Sequence, residues 1–233
     1  MSDPFKYPGN ELELFQHAKH WKKYFSKQVR PFIKGNVLEV GAGIGSTTSL
    51  LNDGSAKQWL MLEPDEQMSN VLRGKLKDLP SNSTVQSGSI DSVKEKFDTI
   101  IYIDVLEHIE NDSTEVNKAA DLLQEDGHII ILAPAFQSLF SPFDKAIGHY
   151  RRYNRQLLKA IKPKDLKIIS TRYYDSMGYF ASLMNKFFLK QKYPSLKQIL
   201  FWDKWMVTLS TITDKLFFHS FGKSIITIWK KLN

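Results

Sequence analysis

An α/β fold, a mostly parallel sheet with helices on both faces, is the architecture this sequence predicts, and three observations carry that reading. Short apolar runs alternate with helical patterns from Asn36 to about Pro134, a rhythm that gives parallel strands joined by crossover helices. Residues 100–103 are continuously apolar, as a strand covered on both faces should be. The run Asn36-Val37-Leu38-Glu39-Val40 enters the turn Gly41-Ala42-Gly43-Ile44-Gly45 and then Ser46 and Thr47, which can open a helix. That arrangement brings bare backbone to a strand end, where ligands bind in such sheets.

The whole composition sets the bounds. At 233 residues, the chain is long enough for one domain with an elaboration and a proper core. A hydrophobic content of 42% and a charged content of 24% are those of an ordinary globular chain and exclude a disordered one. With no cysteine, disulfides, thiolate metal sites and cysteine nucleophiles are excluded. Met1-Ser2-Asp3-Pro4 lacks the apolar stretch of a secretory signal, so a cytoplasmic setting is expected. The most apolar C-terminal segment is interrupted by Asp203, Lys204 and Asp214, which argues against a membrane span. A net charge of +7 admits an anionic partner, but no RNA-binding aromatic-glycine signature is present and no nucleic acid is expected.

Taken in order, Leu14, Ala18, Trp21, Phe25, Val29 and Phe32 recur at helical spacing and predict one amphipathic helix ending near Pro31. Its apolar face packs; Trp21 and Tyr24 are also placed to cover a ligand. After the glycine turn, residues 47–51 continue as a helix closed by Asn52-Asp53-Gly54. A second strand over residues 59–62 ends at Glu63-Pro64-Asp65, and Pro64 suits the first turn of a helix carrying Met68, Val71, Leu72 and Leu76 on one face. Residues 84–86 form a short strand leaving through Gly88-Ser89-Ile90-Asp91, and Phe97–Ile103 is the fourth. Asp104-Val105-Leu106-Glu107-His108-Ile109 then runs from an acidic strand end into a helix. A further helix over residues 116–123 ends at Glu125-Asp126-Gly127, ahead of a fifth buried strand over residues 128–132.

Two ligand classes use such a glycine turn, and charge separates them. A dinucleotide brings a pyrophosphate, which a nearby carboxylate repels; S-adenosylmethionine brings a sulfonium and an ammonium, which a carboxylate attracts. Glu39, two residues before Gly41, and Asp104 at the fourth strand end put acids where those cations would lie. The third glycine comes one residue early for the dinucleotide fingerprint, with Ser46 at the expected position. Glu63 follows Gly43 by twenty residues, the distance at which an acid ending the second strand reaches ribose hydroxyls.

Together, Glu39-Val40-Gly41-Ala42-Gly43-Ile44-Gly45, Glu63 and Asp104-Val105-Leu106-Glu107-His108-Ile109 resemble the motifs of class I S-adenosylmethionine-dependent methyltransferases over about residues 36–135. The resemblance implies a Rossmann-like, seven-stranded, mostly parallel sheet, with a sixth strand at residues 166–171 and an antiparallel seventh at 224–229. Residues 1–233 then form a single domain: an N-terminal helix (1–35), a core (36–175), a helical insertion (176–222) and the last strand (223–233). It also implies S-adenosylmethionine as cofactor. Gly41, Ala42, Gly43 and Gly45 would pass along its methionine portion, Glu63 with Pro64 would meet the ribose, and Ser89 and Ile90 would border the adenine. Asp104 and Val105 would meet the amino group, and His108 belongs to the same pattern. Ser89 stands where many relatives carry an acid. A nicotinamide-dependent oxidoreductase and a non-catalytic cofactor-binding module are the alternatives.

The acceptor side starts where the chain leaves the fifth strand. Residues 134–144 and Gly148-His149-Tyr150-Arg151-Arg152-Tyr153-Asn154 concentrate aromatic and titratable groups at the ligand edge. His149 is the preferred general base for an oxygen or nitrogen acceptor, with Asp144 and Tyr150 behind it. Arg151 and Arg152 either hold an acidic acceptor or pin the loop through carboxylates. In the insertion, Met177, Phe180, Leu183, Met184, Phe187 and Phe188 recur at helical spacing, and residues 199–218 are rich in Trp and Phe. Two helices narrowing a pocket for a small-molecule or lipid-like acceptor are expected, with contact to a membrane surface or a second subunit as the alternative use. Asp104 has no set of companion oxygen ligands in sequence, so no metal is expected.

Overall fold

The computed structural model describes residues 11–189, 191 and 193–232; of Glu11, Phe188 and Leu189 only the backbone is described, and Met1-Ser2-Asp3-Pro4 lies outside the described residues. A short helix α1 (Glu11–Phe15) precedes α2 (Lys19–Val29) and the strand β1 (Asn36–Val40). Then come α3 (Thr48–Leu51), β2 (Gln58–Glu63), α4 (Glu66–Lys75), β3 (Ser83–Ser87), β4 (Phe97–Ile103), α5 (Asp112–Asp121) and β5 (Leu123–Pro134). The rest holds α6 (Pro142–Ala146), α7 (Arg155–Ile161), β6 (Leu166–Tyr174), α8 (Ser176–Met184), α9 (Leu196–Phe201), α10 (Val207–Leu216) and β7 (Ser224–Lys231).

The seven strands form one sheet in the order β3-β2-β1-β4-β5-β7-β6. Strands β1 to β5 pair in parallel, and β7 runs antiparallel between β5 and β6. The order reverses between β1 and β4, and the turns after β1, β2, β3 and β4 open at that one edge. Side-chain alternation divides the core in two. Leu38, Val40, Ile100 and Tyr102 pack on the face toward α5 and α7, and Val37, Trp59, Met61 and Ile101 on the face toward α2 and the insertion.

Several local expectations change. The first helix is broken: Ala18 (φ −76°, ψ 66°) leaves helical geometry, so α1 and α2 are separate and a 3₁₀ turn follows at Arg30–Phe32. The break turns the Phe15 ring onto Phe143 and Trp202, at centroid distances of 6.2 and 6.1 Å. Asp65 rather than Pro64 starts α4, its carboxylate accepting the amides of Gln67 and Met68, and Val71 on that helix is exposed. The segment after Asp104 is only a 3₁₀ turn, Leu106–His108, and helix begins at Asp112. That next helix stops at Asp121, because Leu123 is already paired with Phe97 and fully buried, and β5 therefore starts well before His128.

The insertion forms two helical runs. α8 continues through a π-helical turn, Asn185–Leu189, and α9 and α10 are joined by another, Trp202–Met206. Inward-pointing aspartates fasten the second run. Asp203 accepts the first amides of α2, His20 N (3.0 Å) and Trp21 N (2.8 Å), while Asp214 accepts Tyr24 Oη and the amides of Asp175 and Ser176. Packing was the expected use of the apolar positions in α8, yet Phe180, Met184 and Phe187 are exposed.

Candidate functional site

A cavity of about 430 Å³ opens at the sheet edge where the strand order reverses. Gly41, Ala42, Gly43, Glu63, Pro64, Ser89, Ile90, Asp104, Val105 and His108 all line it, so four separate turns converge on one space. Its size suits a nucleoside-sized ligand. The glycine turn is shaped by contacts that only glycine allows: at Gly41 (φ +68°) a Cβ would come within 2.7 Å of Val105, and at Gly45 (φ +75°) within 2.7 Å of Leu72. Gly45 thus packs on α4 and does not line the cavity. At Gly43 a Cβ would meet, among the described residues, only Leu12, at 3.6 Å, so this is where the backbone of the turn has most room for a ligand.

Four of the turn's five amides are already committed. Gly41 N and Ala42 N donate to Leu62 O, Gly45 N donates to Ala42 O, and Gly43 N donates to the Glu63 carboxylate at 2.7 Å. A pyrophosphate finds none of these donors, and the Glu63 charge opposes it. The other Glu63 oxygen accepts Asp65 N at 2.9 Å. Burial raises the Glu63 pKa, and the two amides work in the opposite direction.

Glu39 is not at the cavity. It alternates with Val40, which lines the cavity, and so faces the other side of the sheet. There its carboxylate is fully buried and accepts Thr48 Oγ1 (2.7 Å) and Trp59 Nε1 (2.8 Å). The charge argument therefore passes to Asp104, which does line the cavity and is held at φ +54°. Burial pushes the Glu39 pKa up to about 7, with the Glu63 charge adding to it. Since the folded value lies above that of an unfolded glutamate, this group's contribution to stability is present below about pH 4.5 and is lost as pH rises through 7. On the order of 3 kcal/mol is at stake. Glu39→Gln keeps both hydrogen bonds and should flatten the fall in the ligand-free protein's thermal stability between pH 5 and pH 8; parallel curves for the two proteins would refute the assignment.

Lys22 on α2 lines the same cavity and was not singled out in the sequence; burial lowers its pKa to about 8 against the pull of Asp104 and Asp203. A lysine in an amphipathic helix reads as surface until the fold shows which way that helix face points. Trp21 lines a neighbouring space, and Tyr24 is buried against Asp214 away from the site.

Beside the first cavity lies a smaller one of about 160 Å³ that shares Leu12, Phe15, Lys22, Asp104 and His108 with it. The smaller one shares Phe15, Phe143, Arg152, Trp202 and Lys223 with a third cavity, of about 410 Å³, beneath the insertion. His149 lines the connecting space, whereas Asp144 is buried behind it and Tyr150 is 52% exposed and lines none of the three. Asp144 accepts His149 Nδ1 (2.9 Å), Arg152 Nε (2.7 Å) and Arg152 Nη2 (3.0 Å). Burial alone would raise its pKa, but the His149 and Arg152 contacts hold it well below the usual carboxylate range. A carboxylate only accepts, so His149 carries its proton on Nδ1 and turns Nε2 toward Glu107. Arg151 pairs with Asp112 at 2.6 Å. Both arginines thus pin the loop, the second of the two uses expected for them. His108 packs edge-to-face on His149, centroids 4.6 Å apart, and burial followed by electrostatic coupling to the neighbouring imidazole lowers its pKa to about 3.

A family profile described as "Methyltransferase domain" matches residues 12–176. No curated protein matches. Among solved structures, the chain is similar to the N-methyltransferase NodS from Bradyrhizobium japonicum, at 13% identity and TM-score 0.58, with 96% of this chain and 99% of that one covered. It is similar to a S-adenosylmethionine-dependent methyltransferase from Clostridium acetobutylicum, at 13% identity and TM-score 0.58, covering 93% and 92%. A third similarity is to Haemonchus contortus phosphoethanolamine N-methyltransferase 2, solved with S-adenosyl-L-methionine, at 13% identity and TM-score 0.62, covering 96% and 58%. At such identities the likeness is one of fold.

Proposed function

Because the chain belongs to the methyltransferase-domain family, we propose that this class I S-adenosylmethionine-dependent methyltransferase acts on an oxygen or nitrogen of a lipid-like acceptor taken from an anionic membrane surface. When bound, the cofactor supplies a methyl group on a positively charged sulfur, and the acceptor atom bonds to that carbon as the carbon–sulfur bond breaks. Glu63 would hold the ribose, Ser89 and Ile90 would border the adenine, Gly43 would lie along the methionine portion, and Asp104 and Lys22 would take its ammonium and carboxylate. Nothing in this assignment requires a base of high strength; alignment and exclusion of water supply much of the rate. His149 stands in the connecting space that the acceptor atom must reach, with Asp144 and Arg152 positioning its ring.

The observation that carries the acceptor class is the outer face of the insertion. Over residues 196–216, Phe201, Trp205, Leu209, Ile212 and Leu216 are all exposed and fall on one helical stripe, with Trp205 at 61%, Ile212 at 64% and Leu216 at 68%. Lys197, Lys204 and Lys215 are exposed on the same run, while its acids, Asp203 and Asp214, are both buried. The face presented to solvent is therefore apolar and cationic, the pattern that lies in the plane of an anionic lipid interface. No helix among the described residues is long and apolar enough to cross a membrane. Phe201 belongs to both the stripe and the lining of the 410 Å³ cavity, whose walls include Phe15, Leu139, Phe143, Ile199 and Met206. An apolar chain could pass from one to the other. The cavity's inner end carries Lys223, its ammonium 4.0 Å from the Trp202 ring centre, which suits an anionic head group. Two structural relatives are named as N-methyltransferases, which keeps nitrogen beside oxygen as the atom methylated.

The test is cosedimentation with vesicles of phosphatidylglycerol in phosphatidylcholine, together with transfer of labelled methyl into extracted lipid. Wild type should sediment with the anionic vesicles and not with neutral ones, and Trp205→Glu with Leu209→Glu should stay in the supernatant while still binding S-adenosylhomocysteine. Equal sedimentation of the two proteins would sink the reading, as would a stripe-dependent dimer in light scattering. Tight cofactor binding without turnover on any lipid extract would favour a non-catalytic module instead.

A further inference from the structure

The geometry points to a divalent transition-metal site formed by Glu107, His108 and His149 in the space that joins the cofactor cavity to the insertion cavity. One ligand atom from each of these residues lies within 4.8 Å of the others. Glu107 is fully buried, and neither of its carboxylate oxygens accepts a hydrogen bond among the described residues. A carboxylate in that condition is costly to the fold unless a cation or a proton meets it, and burial, with the Asp104 charge behind it, raises the Glu107 pKa well above the usual carboxylate range. The nearest basic atom is His149 Nε2, 3.8 Å from Glu107 Oε1, and in the neutral imidazole with its proton on Nδ1 that nitrogen presents a lone pair. Two acceptors thus face one another across the distance that a shared cation would span.

The surroundings support the same occupant. His149 is clamped from behind: its Nδ1–H donates to Asp144, and Asp144 in turn receives Arg152 and the Ser141 amide (2.9 Å). A carboxylate behind the non-ligating nitrogen fixes the tautomer and aims the other nitrogen, as it does for metal-binding imidazoles generally. The Tyr150 amide donates to Glu107 O at 2.8 Å, which ties the two ligand-bearing turns together although they are 42 residues apart. Two imidazoles and one carboxylate suit zinc, cobalt or iron(II) better than magnesium or calcium, and three protein ligands leave coordination positions open. With bonds of about 2.0–2.1 Å the ligand atoms would stand roughly 3.3 Å apart, so the rings and carboxylate need only close inward. The sequence expectation of no metal considered oxygen companions of Asp104 alone; the fold instead brings nitrogen ligands to Glu107.

The role of such an ion, unlike the site itself, rests on the methyl-transfer reading. An acceptor hydroxyl bound at an open position would lose its proton to solvent, as metal-bound water does near neutral pH. Its oxygen would then form the bond to the methyl carbon while the carbon–sulfur bond breaks, leaving a methyl ether and the neutral thioether. This assigns the acceptor atom to oxygen.

Chelator-stripped, dialysed full-length protein would be titrated with cobalt(II) alone, and the visible d–d bands followed. One equivalent should saturate the spectrum, zinc should displace it, and His149→Ala and Glu107→Gln should each weaken cobalt binding by about 10–100-fold or more. His149→Asn, which keeps a donor for Asp144, guards against loss of fold, and calorimetry with S-adenosylhomocysteine checks the cofactor cavity separately. Cobalt spectra that never develop, or equal affinity in wild type and both His149 variants, overturn the metal site and leave a proton shared between Glu107 and His149. Absence of S-adenosylhomocysteine binding in wild type overturns the methyl-transfer reading instead.

Discussion

Replacing Glu63 with alanine is expected to weaken S-adenosylhomocysteine binding by about 10²–10⁴-fold, with the fold retained. The reasoning starts from where the carboxylate stands: buried, at the end of β2, with one oxygen on Gly43 N and the other on Asp65 N. It does two things at once. It anchors the open glycine of the turn, and it leaves lone pairs toward a cavity in which a ribose would offer two hydroxyl donors. Charge-assisted hydrogen bonds of that kind contribute about 1.5–3 kcal/mol each, and two of them correspond to a Kd ratio of about 10²–10⁴. Glu63→Gln should not rescue, because its amide group would face Gly43 N–H or Asp65 N–H, donor against donor. Glu63→Asp, one methylene shorter, should fall between. Calorimetry on the three variants, with circular dichroism to confirm folding, checks this; an alanine variant binding within a few-fold of wild type would remove Glu63 from the site.

What the sequence showed of this site depended on distance along the chain. Gly41 to Gly45, Glu63, Ser89 and Asp104 each sit at a strand end, so recognising the strands was enough to bring them to one edge. Glu39 was misplaced by the same reasoning, and the signal that could have corrected it was local: Val40 faces the cavity, so under the two-residue alternation of a strand Glu39 cannot. The Glu107–His149 pair was beyond reach, because nothing in the residues between them specifies that the turn after β4 meets the loop after β5. The helix break at Ala18 was equally hidden, since the apolar spacing runs through it unbroken and the interruption serves Phe15's contacts with Phe143 and Trp202.

The insertion shows how one composition supports opposite readings. Asp203, Lys204 and Asp214 interrupt an apolar stretch in the sequence and argue against a membrane span when counted as charges. In the fold the aspartates turn inward and the lysines outward, so the same residues sort into an anionic inner face and a cationic outer one. The aspartates that fasten the second run of the insertion to α2 and to the start of α8 are therefore also what clears the outer face of negative charge.

Asp214→Ala should accordingly be the most destabilising single change in the insertion, at about 3–5 kcal/mol, because it removes one partner from a buried hydrogen-bonded group. Three donors lose their acceptor at once: Tyr24 Oη (2.9 Å), Asp175 N (2.8 Å) and Ser176 N (2.8 Å). The loss then spreads. Asp175, held at φ +64° by those contacts, is itself the acceptor for Trp202 Nε1 (2.7 Å), Ser210 Oγ (2.8 Å) and the first amides of α8 through Gly178 N (2.9 Å). Tyr24 lies on α2, so a single carboxylate links α2, α8 and α10. For a chain of this size the midpoint of thermal unfolding should fall by roughly 10 °C. Asp214→Asn, which keeps one acceptor oxygen, should lose about half as much. S-adenosylhomocysteine affinity at low temperature should be preserved, since Asp214 lies outside the cofactor cavity, while binding to anionic vesicles should weaken as α10 loosens. A thermal midpoint unchanged by Asp214→Ala would mean that the three donors find water without cost, and that the insertion is held by its apolar contacts alone.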